Sequence, residues 1–567
     1  MRIEKMKEQV KMMIEEVANP LEIIDTVQRL GLAHHFEDEI QKALKCIYSN
    51  NNKCTIMKQS DDLYATALEF RLLRQQGYDA PQEVFSSFKD EEGNFRASLC
   101  DDLKGLVYLY EASYLSVPGE TILEEARDFA SKNILKYLNN IRDSYEQEQI
   151  ISGEEHVQVM LARHAMELPL RWRMQSFASK NILKYLNNIR DSYEQEQIIS
   201  GEEHVQVMLA RHAMELPLRW RMQRADCRWF IDVYESSPSM NPTLLHFAKL
   251  DFNMVQAIHQ QDLKHAFSWW KKTGLGEKLG FVRGRPMEVF LWAVGGLYEP
   301  QYAYFRRILT RVGALVTVVD DIYDVYGTFD ELQLFSDAVE RWDMDAMDQL
   351  PRYMKICFLA LYNSINEIVQ ELLVNYGLYV LPYLKREWTN LCKSYLLEAK
   401  WYHDGYTPTL EEYLQNGFIS ISAPLLLVHA YFTVTGQITE EVSKYLEEYP
   451  DIIRYSSLIT RLADDLGTSS YEQKRGDNSK SIQCYMHETE SSEEEARKYI
   501  HYLIGETWKK INEEQIRNTH LSQTLMKMGI NLARMSQCMY QHGDGFGVQN
   551  VETKNYILSL LVQPICL

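Results

Sequence analysis

The chain has 567 residues, of which 46% are hydrophobic and 25% are charged, a composition that excludes a disordered or fibrous protein. Its 60 basic and 80 acidic side chains give a net charge of −20, which excludes sequence-independent binding to nucleic acid through a basic surface. Glycine (26) and proline (15) are scarce, and so few turn-forming residues favour long helices.

Residues 1–17 alternate lysine with glutamate and have no apolar core, so they indicate neither a secretory signal nor a transit peptide. On these residues alone, the cytoplasm stays open as a location. The longest apolar run near the middle of the chain, Val312–Val319, has eight residues, whereas a spanning helix needs about twenty, and no membrane span is expected. The nine scattered cysteines are interpreted as reduced thiols that form neither disulfides nor a zinc site.

Most of the chain has the periodicity of amphipathic helix. Near the start, apolar side chains recur every three or four residues, with one two-residue step at a glycine: Leu21, Ile24, Val27, Leu30, Leu32 and Phe36. The sequence therefore predicts an all-α protein of packed antiparallel helices. The histidines have no metal-binding spacing, and the pair His34–His35 is interpreted as surface or polar core.

Residues 129–175 recur without a single change at residues 177–223, at an offset of 48. Natural helical repeats diverge and usually come in three or more copies. The identity therefore indicates a recent tandem duplication or an artefact of the gene or clone. A packed interior has no room for 48 extra residues, so we expect one copy to fill the native place. The other copy would loop out, pack on the surface or disrupt the domain.

A turn-rich stretch of serine and proline near residues 235–243 separates two helical regions. It predicts an N-terminal domain over residues 1–238, which contains the duplication, and a C-terminal domain over residues 239–567.

Asp320, Asp321 and Asp324 follow directly after the apolar run Val312–Val319. Residues four apart share a helix face, so Asp320 and Asp324 point the same way. Facing carboxylates repel and need a cation, and Mg²⁺ prefers such oxygen ligands. The alternative is a solvated acidic helix end, but the apolar run that leads into the acids indicates a buried helix.

A second set of oxygen ligands, Asp464, Thr468 and Glu472, recurs every four residues and forms one stripe on a helix. Three basic residues flank this stripe: Arg461, Lys474 and Arg475. Acids that bind metal ions beside bases that bind anions are what a diphosphate requires. The alternative is surface charge, but the first motif makes a paired site the stronger interpretation.

These motifs resemble those of plant class I terpene synthases, in the subfamily that makes mainly monoterpenes. Residues 318–328 read VVDDIYDVYGT and match the aspartate-rich motif, and residues 461–472 read RLADDLGTSSYE and match the second metal motif. The likeness extends over nearly the whole chain, from LEIIDTVQRLGLAHHFEDEI at residue 21 to MYQHGDGFG at residue 539. It implies an N-terminal α-barrel domain and a C-terminal class I terpenoid synthase helical bundle. The sequence contains no DxDD motif, so the reaction should begin only by loss of diphosphate.

The resemblance also implies the role of each motif residue. Three Mg²⁺ ions, with Mn²⁺ as an alternative, would be bound by Asp320, Asp321, Asp324, Asp464, Thr468 and Glu472. The diphosphate would be bound by Arg461, Lys474, Arg475 and Arg283. Arg283 and Arg285 resemble the ends of an Arg-Asp-Arg loop that closes over the leaving diphosphate. Here Gly284 replaces the acid and Pro286 follows, and both depart from the pattern.

The cavity itself would use aromatic faces and backbone dipoles to stabilise a carbocation. Trp292 matches a position on the cavity wall, and Tyr540 and Asp544 match the cavity mouth, where Asp544 would assist proton removal. Pro424 interrupts a helical pattern, which predicts a kink and frees the carbonyl of Ser420. Each of these residues has an ordinary structural interpretation as well.

The sequence therefore predicts an Mg²⁺-dependent lyase that ionises a prenyl diphosphate, with geranyl diphosphate as the first expected substrate. The protein is expected to act as a monomer. The alternatives are a sesquiterpene synthase acting on farnesyl diphosphate, a chain-elongating prenyltransferase, and a protein of the same fold that the duplication has inactivated. The tandem-arginine motif of enzymes that make cyclic products does not occur, which favours an acyclic monoterpene or a truncated sequence. The resemblance implies a plastid location.

Overall fold

The computed structural model describes residues 2–17, 19–53, 61–148, 201–435, 440–475, 479–517, 523–547 and 551–567. For residues 2, 50–53, 142–148, 440–443 and 470–475 it describes the backbone alone. No strand occurs within these ranges, where the one β-type pairing joins Lys89 to Phe95. The all-α prediction is confirmed.

Helices are numbered here in chain order over the described residues. The N-terminal part has eight: α1 (Arg2–Glu16), α2 (Leu21–Arg29), α3 (Glu37–Lys53), α4 (Leu63–Gln75), α5 (Leu103–Ser113), α6 (Thr121–Glu148), α7 (Glu202–Glu215) and α8 (Gln223–Glu235). Short 3₁₀ turns join several of them: Ala33–His35, Gln82–Phe88, Ala97–Leu99 and Leu218–Trp220.

The rest of the described chain follows the same numbering. Its helices are α9 (Pro242–Thr273), α10 (Leu275–Lys278), α11 (Pro286–Gly296), α12 (Ala303–Asp321), α13 (Phe329–Arg341), α14 (Arg352–Tyr376), α15 (Leu381–Asp404), α16 (Leu410–Ser420), α17 (Ala423–Val434), α18 (Glu440–Glu447), α19 (Asp451–Arg475), α20 (Ser481–Thr489), α21 (Glu493–Arg517), α22 (Gln523–Tyr540) and α23 (Val551–Ile557). Two π-helical turns, Ile322–Tyr326 and Leu558–Val562, extend α12 and α23.

The apolar periodicity near the start of the chain marks buried positions but not one continuous helix. All six side chains of that pattern are buried. However, α2 ends at Arg29, and Gly31 turns the chain with a positive φ of 75° before the 3₁₀ turn at Ala33. Such a φ suits glycine, which has no Cβ. The two-residue step in the pattern therefore marks a break between α2 and α3.

The buried apolar side chains form two clusters. The first joins α1–α8 to the beginning of α9, including Phe247 and Phe252, and also contains Phe290 and Met535. The second is built from α10 and α12–α22, beginning at Trp269 near the end of α9. Helix α9 therefore contributes to both cores. The boundary between residues 238 and 239 stays a prediction.

One segment, residues 410–434, is long and apolar enough to cross a membrane, but 67% of its most apolar window is buried inside the protein. It is also two helices, because α16 ends at Ser420 and Ser422 has a positive φ of 64°. Pro424 lies in the first turn of α17, where backbone N–H groups have no helical acceptor, so the missing N–H of proline costs no helical hydrogen bond. The predicted kink is therefore a complete break, and the segment belongs to the core.

The duplicated region fills its place in the fold with parts of both copies. Helix α6 uses residues 129–148 of the first copy, whereas α7 and the turn before α8 use residues 201–223 of the second. The two parts pack together, since the Tyr137 hydroxyl donates a 2.9 Å hydrogen bond to Glu203 Oε1. Our expectation that one intact copy fills the native place is therefore wrong. The surplus lies within residues 149–200, outside the described residues.

Because the copies are identical, removing any 48 consecutive residues that begin between 129 and 176 leaves the same 519-residue chain. That chain would join Glu148 to Gly201 through the four residues QIIS, an ordinary length for a connection between antiparallel helices.

We therefore expect the 519-residue chain, made by deleting residues 176–223, to fold as the full chain does. Its melting temperature and solubility should equal or exceed those of the full chain, because residues 129–148 and 201–223 already fill the places of the repeated helices, and the deletion removes only repeated sequence. Thermal denaturation followed by circular dichroism, with activity measured alongside, tests this. A lower melting temperature or a loss of activity would show that the surplus contributes to the fold.

Candidate active site

Residues of both predicted metal motifs and a set of apolar side chains line one cavity. Helices α11, α12, α15, α19 and α22 and the junction of α16 with α17 surround it. Its polar lining includes Arg283, Asp320, Asp324, Glu398, Arg461, Asp464, Thr468, Lys480 and Asp544. Its apolar lining includes Val289, Trp292, Phe305, Leu309, Val316, Leu426, Leu427 and Leu532. One end of this space suits an anion and metal ions, and the rest suits a hydrocarbon.

The first motif lies where α12 changes its winding. The α-helix ends at Asp321, and the next turn closes with a π-type hydrogen bond of 2.8 Å from the Gly327 N–H to the Ile322 carbonyl. Asp320 and Asp324 both line the cavity, whereas Asp321 is not among its lining residues. The predicted continuous α-helix is thus replaced by a turn of a kind that is frequent at functional sites.

Arg283 is tied to both leading carboxylates of this motif. Its Nη2 donates to Asp320 Oδ2 at 2.5 Å, its Nε donates to Asp321 Oδ1 at 2.5 Å, and its backbone N–H donates to Asp321 Oδ2 at 2.8 Å. Burial raises the pKa of Asp321 above its ordinary value, although the Arg283 guanidinium opposes that shift. Asp321 therefore anchors the arginine loop to α12.

Arg461 is the corresponding cation of the second motif. Its side chain is buried on α19, with Nε donating to Asp465 Oδ1 at 2.8 Å and Nη2 contacting both Asp464 and Asp465. Asp465 is fully buried and also accepts hydrogen bonds from the Tyr413 hydroxyl at 3.0 Å and the Ser481 N–H at 3.1 Å. Asp465 thus fixes Arg461 at the cavity wall, while Asp464 lines the cavity itself.

Arg285 is not among the cavity-lining residues but contacts a loop that lines the cavity. Its Nη2 donates to the Gly547 carbonyl at 2.7 Å, and its Nη1 lies 3.4 Å from Glu288 Oε1. In the same loop, Asp544 Oδ1 accepts hydrogen bonds from the N–H groups of Phe546 at 3.0 Å and Gly547 at 2.6 Å. Asp544 therefore shapes the turn that Arg285 holds, besides lining the cavity.

Two of the cavity residues implied by the resemblance are aromatic. Trp292 and Tyr540 both line the cavity, with ring centroids 6.2 Å apart. The break between α16 and α17 adds Ser420, Ile421 and Ser422 to the lining. Ser420 is the last residue of α16, so its carbonyl has no helical N–H donor four residues further on.

Comparison with known proteins identifies the family. Residues 1–161 match the family described as "Terpene synthase, N-terminal domain", and residues 271–510 match "Terpene synthase family, metal binding domain". The chain belongs to the terpene synthase family. Its enzyme class is therefore that of carbon–oxygen lyases acting on diphosphate esters, and the predicted family, fold and class are confirmed.

Individual relatives are similar over the whole synthase. An enzyme of Vitis vinifera named (−)-alpha-terpineol synthase is 53% identical over 100% of this chain and 86% of its own length. A chloroplastic myrcene synthase of Quercus ilex is 50% identical over 100% of this chain and 85% of its own length. A solved structure of isoprene synthase from grey poplar, in complex with three Mg²⁺ ions and dimethylallyl-S-thiolodiphosphate, superimposes with a TM-score of 0.84. It is 39% identical, over 100% of this chain and 97% of that one.

Several polar residues of the synthase site were missed by sequence reasoning, among them Glu398, Asp465 and Lys480. Asp465 stands beside Asp464 in the motif, but only the fold shows that it faces Arg461 and Tyr413. Lys480 lines the cavity and is mostly buried. In the sequence, Lys480 is a single lysine beyond the second motif, and nothing distinguishes it from a surface lysine. The side chains of Glu472, Lys474 and Arg475 lie outside the described residues, and their roles stay predictions.

The residues present fit divalent metal ions. The Thr468 hydroxyl is buried and has no hydrogen-bond partner among the described residues, yet it lines the cavity one helical turn from Asp464. An unpartnered buried hydroxyl is costly unless something binds it. Together with the carboxylates of Asp320, Asp324 and Asp464, it offers the oxygen ligands that Mg²⁺ prefers.

We expect Asp324→Ala to lower turnover by about 100-fold or more while leaving helicity unchanged, because Asp324 is an exposed cavity carboxylate in a metal-ligand position. Asp320→Ala should lower turnover similarly. Asp337→Ala removes an exposed carboxylate of α13 that is not among the cavity-lining residues, and it serves as the control. Steady-state kinetics measure the turnover, and circular dichroism measures the helicity. Near-normal turnover in Asp324→Ala would refute its role as a ligand.

Thr468 permits a closer comparison of function with stability. Thr468→Val keeps the shape and removes the hydroxyl, so we expect the Mg²⁺ concentration for half-maximal activity to rise about 10-fold or more. The melting temperature should stay equal or rise, because an unpartnered polar atom is removed. Thr468→Ser retains the oxygen and should keep the Mg²⁺ dependence. If valine and serine variants share one Mg²⁺ dependence, the hydroxyl does not bind the metal.

Proposed function

We propose that the chain converts geranyl diphosphate into a monoterpene and releases diphosphate. The observation that carries this proposal is a single cavity that joins two oxygen-rich motifs and two arginines to an apolar, aromatic wall. The names of the two relatives support the substrate, since terpineol and myrcene are both ten-carbon products.

The polar end would bind the diphosphate. Mg²⁺ ions, which the grey poplar structure contains, would be bound by Asp320, Asp324, Asp464 and Thr468, with Glu472 as the further predicted ligand. When bound, they neutralise the charge that develops on the leaving diphosphate. Three cationic side chains of the lining would bind phosphate oxygens directly: Arg283, Arg461 and Lys480.

The apolar end would hold the carbon chain. When the C–O bond breaks, its electron pair leaves with the diphosphate and an allylic cation remains against the cavity wall. The faces of Trp292 and Tyr540 would stabilise that charge through their ring quadrupoles, without offering a nucleophile. The Ser420 carbonyl at the helix break is a further dipole for the cation.

Incubation of the purified chain with geranyl or farnesyl diphosphate and Mg²⁺, followed by gas chromatography and mass spectrometry, tests the proposal. We expect a monoterpene, a kcat/KM for geranyl diphosphate at least about tenfold above that for farnesyl diphosphate, and no product in the presence of EDTA. Preference for farnesyl diphosphate would overturn the substrate assignment. The 519-residue chain is the control, since activity found only there would assign inactivity to the duplication.

We also propose a plastid location. The support is the relatives' names, among which the myrcene synthase is called chloroplastic. Replacement of Mg²⁺ by Mn²⁺ and a monomeric state stay predictions.

A further inference from the structure

A second cluster of ligand atoms lies outside the active-site cavity. It consists of His34 and His35, on the 3₁₀ turn between α2 and α3, and Asp251 on α9. The three side chains are 5%, 16% and 8% exposed. The cluster therefore joins an N-terminal turn to the helix that contributes to both hydrophobic cores.

The ligand atoms converge. His35 Nε2 lies 2.7 Å and His34 Nε2 lies 3.6 Å from the same carboxylate oxygen, Asp251 Oδ1. All three atoms lie within 4.8 Å of one another. Ligands about 2.0–2.1 Å from a tetrahedral Zn²⁺ ion are roughly 3.3 Å apart, so small side-chain rotations would close this set around one ion.

The tautomer of His34 follows from its surroundings. His34 Nδ1 lies 3.1 Å from the Gly31 carbonyl oxygen, which can only accept, so this nitrogen carries a proton. In a neutral ring, Nε2 then has a bare lone pair. That buried atom has no hydrogen-bond partner among the described residues and faces the Asp251 carboxylate. A lone pair facing a carboxylate needs a cation between them, either a proton or a metal ion.

The surroundings favour the metal ion. A metal-binding histidine usually donates its other N–H to a carbonyl or carboxylate, as His34 does to Gly31. Neighbouring rings restrict both imidazoles, since Phe247 stacks on His35 at 5.2 Å and Tyr298 lies edge-on to His34 at 6.3 Å.

We propose that His34, His35 and Asp251 bind a structural Zn²⁺ ion that links the 3₁₀ turn to α9. Two imidazole nitrogens and one carboxylate suit zinc, whereas Mg²⁺ requires oxygen ligands in octahedral geometry. The fourth ligand would be water on the partly exposed His35 side. None of the three residues lines the active-site cavity, so this ion is separate from those of the reaction. This proposal goes beyond the sequence interpretation of His34–His35 as surface or polar core.

The test uses the full chain, produced with Zn²⁺ in the medium, purified in the presence of Mg²⁺ and analysed for metal by inductively coupled plasma mass spectrometry. We expect one zinc per chain in the wild type and less than about one-tenth of that in His34→Gln. His246→Gln serves as the control, because it removes a histidine of α9 outside the cluster, and its zinc content should equal that of the wild type.

Two further measurements keep the proposal testable should His34→Gln fold poorly. Addition of Zn²⁺ to the metal-stripped wild type should raise its melting temperature by roughly 2 °C or more in constant Mg²⁺. Co²⁺ in place of Zn²⁺ should give the visible absorption of a tetrahedral site. A zinc-free wild type with an unchanged melting temperature would overturn the proposal and assign a protonated His34 instead. Equal zinc content in the wild type and His34→Gln would overturn it as well.

Discussion

Charge compensation at the polar end of the cavity is the constraint on which the rest of the active site depends. Arg283 joins the two leading carboxylates of α12, and Arg461 joins an adjacent pair on α19. Because each arginine contacts two neighbouring carboxylates at once, it also holds those carboxylates in place. Asp324 and Thr468 add further oxygen ligands to the lining of the same cavity. A lining that offers both oxygen ligands and cationic side chains suits metal ions together with phosphate oxygens.

Sequence reasoning succeeded where spacing on one helix decides geometry. The pattern of residues 461–468 places Arg461, Asp464 and Thr468 on neighbouring turns of α19, and the fold keeps them there. Reasoning failed where the outcome depends on a distant partner. Nothing in the sequence shows that Arg285 reaches the Gly547 carbonyl, because only the packed chain brings residues so far apart together. Likewise, a proline can kink a helix or begin a new one, and the left-handed Ser422 selects the second outcome.

The duplication shows a different limit. Two identical copies have identical propensities, so the sequence contains no information on which copy is used. The connectivity of the chain decides this: residues 121–128 begin α6 and continue directly into the first copy, whereas the second copy continues directly into α8. The beginning of the repeat is therefore supplied by the first copy, and the end of the repeat is supplied by the second copy. A hairpin connection between helices is also where inserted chain is tolerated best, because the loop-closure free energy rises slowly with length.

The hydrogen bond between Arg285 and Gly547 has a mechanical consequence. It ties the segment that precedes α11 to the loop that follows α22, and Arg283, two residues before Arg285, is bound to the first metal motif. A displacement of either segment is therefore transmitted to the other and to the carboxylates of α12. Entry of substrate and departure of product would then require both segments to move as one gate rather than as two independent flaps.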